Sequence, residues 1–348
     1  MYAEKPLLHA RQKTYRSGSL RTIALDVTSR CNMTCSHCYA ETFNRVDMID
    51  TETLGRALEE FYELGVLHYV IQGGEPIMSP KRLEFVLRHC HPDETYINVV
   101  SNGWAMDRDR IRWLKELKVD KIAFSLDSGV GEEHDANRLP GSFQRVVEAI
   151  DTVLEEGLLS SISIVVTHES LYSEGFRSAL ALAKDKGIRM DVQIAEPVGK
   201  WDGRKDVLIT PEDAAYIKHL QQVSGRIGTG QTMINRDIYC GDSDHCPAGI
   251  EFMSLSADGH FLPCNFLQFS LGNIRERSIR QMRDDLLSSQ WFCGKVANCL
   301  CGENDAFIDR YIVPYAGQPK PLDAYEVFGL GTLAGTEARP ASVPSNQS

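Results

Sequence analysis

The sequence predicts an α/β fold built on a parallel sheet, with a small cysteine-rich module behind it. Two observations carry this. From residue 21 to about 197, six short apolar runs alternate with amphipathic segments. Past about residue 205 the alternation stops, and six of the ten cysteines follow. Six βα units in a row imply parallel strands joined by right-handed crossovers, as an open sheet or a curved partial barrel.

The strand-like runs are TIALDV (22–27), HYVIQG (68–73), YINVVS (96–101), KIAFSL (121–126), SISIVVT (161–167) and DVQIAE (191–196). Each is short and rich in Val and Ile, which suits strands covered on both faces. Between them, TETLGRALEEFYELG places Leu54, Ala57, Leu58 and Phe61 on one helical face behind Thr51. DRDRIRWLKELK, SFQRVVEAIDTVLEEG and EGFRSALALAKDKG repeat the theme, the last two stopping at Gly. A helix-like segment at 211–224 leads into the cysteine-rich region. There IEFMSLSADGHFLPC alternates around Asp258-Gly259, a hairpin signal, and RSIRQMRDDLLSSQWF reads as helical. The final GLGTLAGTEARPASVPSNQS is small and polar and reads as disordered. The expected divisions are an extension (1–20), a core (21–205), a linker helix (206–230), a cysteine-rich module (231–315) and a tail (316–348).

With 348 residues, 43% of them hydrophobic, the chain has room for one large domain and a smaller module. A net charge of −11 argues against a nucleic-acid partner. No apolar run reaches the roughly 18 residues of a membrane span, and the N-terminal stretch lacks a signal peptide's apolar region. A cytoplasmic location with no membrane partner is the expectation. Thiols stay reduced there, so ten cysteines point to metal or cluster ligation rather than disulfides.

In parallel sheets of this kind, chemistry sits at the carboxyl ends of the strands. Cys31, Cys35 and Cys38 follow the first run, spaced C-x3-C-x2-C. GGEP (73–76), SNG (101–103), SLDS (125–128) and AEPVGKW (195–201) follow the second, third, fourth and sixth. Five such motifs at one rim describe a single active site. Three thiolates on one short loop leave one iron of a four-iron cluster without a protein ligand, free for a small chelator. Zinc prefers paired C-x2-C elements closing four ligands, and no paired element lies nearby.

CNMTCSHCY (31–39) resembles the signature of radical S-adenosylmethionine (SAM) enzymes. The resemblance spans the chain from the first strand to about residue 305. It implies a partial (β/α)6 TIM-like barrel, with a [4Fe–4S] cluster on Cys31, Cys35 and Cys38. SAM chelates the open iron and is cleaved by one electron to a 5′-deoxyadenosyl radical, which abstracts hydrogen from substrate. Gly73 and Gly74 let the backbone approach a ligand, and Glu75 sits where the SAM ammonium docks. Ser125, Asp127 and Ser128 suit ribose hydroxyls and the SAM carboxylate, although such serines also cap helices. Arg138 is the family-like arginine near SAM or substrate, with a surface salt bridge as its alternative. Asn102 turns the chain toward SAM, and Tyr39 packs on adenine or in the core. Glu196 and Gln193 are candidates to hydrogen-bond substrate, Lys200 and Trp201 weaker ones. Cys90, on a helical pattern, reads as a buried thiol.

Cys246, Gly259 and Cys264, followed by Cys293, Cys299 and Cys301, resemble the C-terminal extension called SPASM, or its shorter form, twitch. That extension carries auxiliary iron–sulfur clusters. Only six cysteines follow residue 200, which is too few to close two four-iron clusters. One auxiliary cluster on Cys246, Cys264, Cys299 and Cys301 is the economical reading, with Cys293 or Cys240 as substitutes. Its expected work is to accept an electron from a substrate radical, so that the reaction is a dehydrogenation; a purely structural cluster is the alternative.

Thirty residues precede Cys31, fewer than the roughly 80 of a leader-binding domain. The expected substrate is therefore small and polar: a sugar, aminosugar, cyclitol or nucleoside in natural-product (antibiotic) biosynthesis. A redox-neutral decarboxylation, epimerisation or elimination is one alternative, and a peptide or protein maturase another. A non-catalytic iron–sulfur protein is the last, but it leaves Glu75 and the serine motif unexplained. A flavodoxin- or ferredoxin-type reductant is the implied protein partner.

Overall fold

The computed structural model describes residues 5–16, 18–40, 48–225, 233–235, 245–292 and 296–331. Cys240, Cys293 and residues 332–348 of the expected tail lie outside the described residues. The six expected strands form: β1 (Thr22–Asp26), β2 (His68–Gln72), β3 (Tyr96–Ser101), β4 (Lys121–Ser125), β5 (Leu159–Val166) and β6 (Arg189–Ile194). They pair in sequence order, all parallel, with register Thr22↔His68 and His68↔Tyr96. The result is the parallel sheet of a partial TIM barrel.

Among the described residues the sheet holds nine strands, three more than expected. β7 (Ile234–Asn235) adds beside β6. β8 (Phe252–Leu255) pairs parallel with β1, Thr22 opposite Phe252, and β9 (Phe261–Leu262) closes the hairpin antiparallel to β8. The cysteine-rich region thus continues the core sheet. Gly259, at φ +94°, makes the expected turn. Residues 316–331, the start of the expected tail, are ordered: Leu322–Asp323 pairs with Phe269–Ser270, and a short helix spans Ala324–Phe328.

Alternation along the strands sorts the side chains. Ile23, Leu25, Tyr69 and Ile71 join the main core beneath the helices. Ala24, Val70 and Ala123 point to the opposite, concave face, where they pack with Phe252. Small side chains inside leave space at the carboxyl ends.

Helices cover the convex face. α1 (Pro6–Thr14) begins the described chain, and α2 (Thr51–Glu63) follows β1. Asp50, not Thr51, caps α2, accepting the Thr53 N–H at 2.7 Å. Its expected face, Leu54, Ala57, Leu58 and Phe61, is buried; each large side chain there contributes about 2–3 kcal/mol of burial. Among the described residues no helix is long and apolar enough to cross a membrane.

Ahead of α1, Lys5 is buried against the amino end of the barrel. Its Nζ donates to the Thr95 and Lys118 carbonyls at 3.0 Å each and to Asp120 Oδ2 at 2.6 Å. Replacing Lys5 with Met strands the buried Asp120 carboxylate. We expect a loss of about 3 kcal/mol in urea unfolding, with D120N restoring part of it in the double variant.

Candidate functional site

The loop after β1 carries the three expected thiols, and its path is set by backbone contacts. The Gly74 N–H donates to the Thr28 carbonyl at 2.7 Å and the Glu75 N–H to the Arg30 carbonyl at 2.8 Å. A Cβ on Gly73 (φ +136°) would lie 2.4 Å from the Thr28 oxygen, and one on Gly74 would lie 2.2 Å from the Arg30 oxygen. The sequence reading had these glycines admit a ligand. They also border the cavity, but the approach that demands Gly is that of the cysteine loop itself. Gly199 (φ +61°) does the same from the far side: a Cβ there would sit 2.1 Å from the Cys38 carbonyl oxygen. G199A must push the loop away from the rim. We expect the variant to lose most of the iron held by Cys31, Cys35 and Cys38, read as iron per chain after anaerobic reconstitution.

Cys31, Cys35 and Cys38 line one cavity of about 360 Å³, a size suited to a cofactor-scale ligand. No fourth cysteine lines it among the described residues. The strands contribute its wall through inward-facing residues: Gln72, Val100, Ser125, Ser163 and Gln193. Burial pushes the Cys35 thiol up to about 11, with Arg138 acting against that shift. A three-thiol set with no fourth cysteine in the cavity among the described residues fits an iron–sulfur cluster with one open corner.

Glu75 stands in the same cavity, 2% exposed. Its Oε1 accepts from the Ser101 hydroxyl at 2.9 Å, and its Oε2 accepts from the Asn102 N–H at 2.7 Å. Burial nonetheless lifts its carboxyl to about 7. A buried carboxylate so held is prepared for an ammonium. Asn102 does more than turn the chain: its Nδ2 donates to Asn32 Oδ1 at 2.9 Å and lies 3.9 Å from Cys31 Sγ. Tyr39 lines the cavity and meets Phe266 edge-on at 5.3 Å.

Arg138 also lines the cavity, and it is not on the surface. Its guanidinium grips Asp127 in a bidentate pair, Nε to Oδ2 at 2.8 Å and Nη2 to Oδ1 at 2.7 Å. Asp127 therefore faces Arg138 and does not line the cavity, unlike Ser125. Its carboxyl falls to about 2: burial opposes ionisation, and Arg138, then His37, overcome it. Ser128 is turned to Glu133, to which its hydroxyl donates at 2.7 Å. His37, which the sequence reading passed over, lies 3.5 Å from Asp127 and meets the Trp201 ring at a tilt, centroids 5.7 Å apart. Both His37 and Trp201 line the cavity, whereas Lys200 is exposed.

A second thiol group lies behind the β6 end. Burial raises the Cys299 thiol, reinforced by Glu196, Cys246 and Cys264; Cys301 responds to Glu196, Cys299 and Cys264. Cys299 thus feels Cys246 and Cys264, and Cys301 feels Cys264 and Cys299. A ring cluster of Phe269, Trp291, Phe307, Tyr311 and Phe328 supports the loop that carries Cys299 and Cys301. Glu196 reaches both sites: it lines the first cavity, and its Oε1 is 3.4 Å from Cys299 Sγ. Cys90, by contrast, is fully buried in the core, with its thiol 3.6 Å from the Leu87 carbonyl.

Residues 25–189 match the family model of the Radical SAM superfamily. The chain belongs to that superfamily. It is a radical SAM enzyme, with the [4Fe–4S] cluster and SAM that the family uses. Over 290 residues it is 24% identical to the AdoMet-dependent heme synthase of Methanosarcina barkeri, covering 75% of this chain and 81% of that protein. The PqqA peptide cyclase of Ruegeria pomeroyi is 24% identical over 308 residues, 84% of this chain and 80% of the cyclase. In fold, the chain is similar to Streptococcus suis SuiB bound to its precursor peptide SuiA. The TM-score is 0.60 at 17% identity, covering 82% of this chain and 69% of SuiB. That overlap extends to the C-terminal region with its extra cysteines.

Proposed function

We propose that this enzyme abstracts a hydrogen atom from a peptide or protein substrate and that the net reaction is an oxidation. The observation that carries the mechanism is one cavity lined by Cys31, Cys35, Cys38, Glu75 and Glu196. When bound on those three thiols, the cluster with SAM supplies a one-electron cleavage that yields methionine and a 5′-deoxyadenosyl radical. The chain's own residues then bind and orient. Glu75 receives the SAM ammonium, with Ser101 and the Asn102 N–H holding the carboxylate in place. Arg138, fixed by Asp127, sets positive charge beside the cavity. Tyr39 and Phe266 offer an apolar wall for a purine. Cys246, Cys264, Cys299 and Cys301 fit an auxiliary cluster as electron acceptor, because Glu196 lines the cavity and lies 3.4 Å from Cys299, whose thiol in turn responds to Cys246 and Cys264.

For the substrate, PqqA peptide cyclase and peptide-bound SuiB support a peptide. They weigh against the small polar substrate favoured by the sequence reading, as does the name of the heme synthase. A small polar substrate remains the second reading, since Gln193 and Glu196 present hydrogen-bonding groups into the cavity. The test is anaerobic turnover with dithionite against deuterated peptides and deuterated sugars. We expect 5′-deoxyadenosine in both cases, with deuterium transferred to it from a peptide. Transfer from a sugar alone would remove the peptide assignment, and no 5′-deoxyadenosine at all would remove the mechanism.

A further inference from the structure

A carboxylate, Glu196, joins the second thiol group. Glu196 follows the end of β6 and is 7% exposed. Its Oε1 lies 3.4 Å from Cys299 Sγ, and the Cys301 thiol also hydrogen-bonds the carboxylate. The loop wraps closely around it: a Cβ on Gly302 would come within 3.1 Å of both Glu196 oxygens. Glu303 has different work, since its Oε2 accepts the Cys299 N–H at 2.9 Å. Among the described residues, none of the four thiols of this group lines the first cavity, whereas Glu196 does. The carboxylate is the ionisable side chain through which that cavity meets the second site, beside Phe266, whose carbonyl accepts from the Cys301 thiol at 3.5 Å.

A four-iron cluster takes four protein donors. We propose that Glu196 is a fifth, exchangeable donor to the auxiliary cluster, competing with Cys299 for one iron. This rests on the auxiliary cluster of the proposed function. In the exchange, the iron–sulfur bond to Cys299 breaks and an iron–oxygen bond to Glu196 forms. One anionic donor replaces another across the 3.4 Å contact, and no electron moves. Carboxylate oxygen is a harder ligand than thiolate and binds this iron less firmly. The corner facing the cavity is then replaceable, while those of Cys246, Cys264 and Cys301 are not.

The test uses the full chain with Cys31, Cys35 and Cys38 all changed to Ala, so that only the auxiliary site loads. After anaerobic reconstitution this parent should hold about four irons. C299A in that background should keep most of them, with a changed electron paramagnetic resonance spectrum when reduced. C299A/E196Q should lose them, as should C264A, whose corner has no spare donor. If C299A alone loses the iron, or if C299A/E196Q keeps it, the proposal is overturned. A folding defect is separated by E196Q with all four thiols intact: its Mössbauer spectrum should lack an oxygen-ligated iron component seen in the parent, and identical spectra overturn the assignment. A parent that binds no iron removes the auxiliary cluster itself, a failure distinct from that of the Glu196 assignment.

Discussion

E75Q is expected to weaken SAM binding by about a hundredfold and to flatten its pH dependence. The Glu75 carboxylate is buried, held by Ser101, the Asn102 N–H and the Ile77 N–H. Losing a charged acceptor against a buried ammonium costs about 3 kcal/mol, or about two decades in Kd. Glutamine preserves the shape, so the loss reports charge. The sign follows from the carboxyl's position near 7, raised by burial, with Arg138 pulling it down. The Glu75 charge in turn raises the Cys31 thiol, after burial. Below pH 7 Glu75 carries a proton that the ammonium must displace. Affinity should then rise about tenfold per pH unit up to about 7 and level off above it. Anaerobic calorimetry of SAM binding between about pH 5.5 and 7.5 reads this slope; a slope that survives in E75Q excludes Glu75 as the ammonium partner. Stability moves oppositely. A carboxyl raised above its unfolded value favours the fold at low pH, and that contribution is lost as pH rises through 7. Without SAM, E75Q should be the more stable chain at pH 8.

Local sequence carried β1 to β6 and the helices after them, because apolar periodicity and turn residues are short-range signals. The rim motifs were legible for the same reason, since each directly follows a strand. Partners across long separations were not. FMSL reads as half of a hairpin, and nothing in four residues says that it will lie beside β1. GGEP announces backbone freedom, but the atoms demanding it belong to Thr28 and Arg30, over 40 positions earlier. SLDS offers Asp127 to a ribose, whereas the fold gives it to Arg138. His37 was hidden by the cysteines on either side, although its own side chain is largely buried against Asp127 and such a histidine needs a partner. Glu196 was singled out as a strand-end carboxylate, yet its neighbours Cys299, Cys301 and Gly302 lie about a hundred residues further on. Strand-end position identifies which residues face the site; only the fold says which of them spend their hydrogen bonds on one another.

R138M should be among the most destabilising single changes in this chain, and D127N should rescue it. The pair is bidentate, with side chains 8% and 6% exposed. Removing Arg138 alone leaves the Asp127 carboxylate buried beside His37 and His134, both of which burial disfavours as cations; that costs about 3–5 kcal/mol. Adding D127N removes the stranded charge, so R138M/D127N should recover about half of that loss, a coupling well outside additivity. Chemical denaturation of the iron-free chain measures the cycle. The wild-type pair also sets an acid limit. Asp127 is depressed to about 2, so its contribution is present above the ordinary carboxylate range and is lost as pH falls through 2; in R138M burial acts nearly alone and that loss begins at higher pH. The same cycle separates scaffolding from ligand contact. If Arg138 only braces the cysteine loop through Asp127 and His37, the double variant regains SAM affinity together with stability. If its guanidinium touches SAM or substrate in the cavity it lines, stability returns in the double variant while affinity stays low. The second outcome is the one expected here, because Arg138 borders the cavity and Asp127 does not.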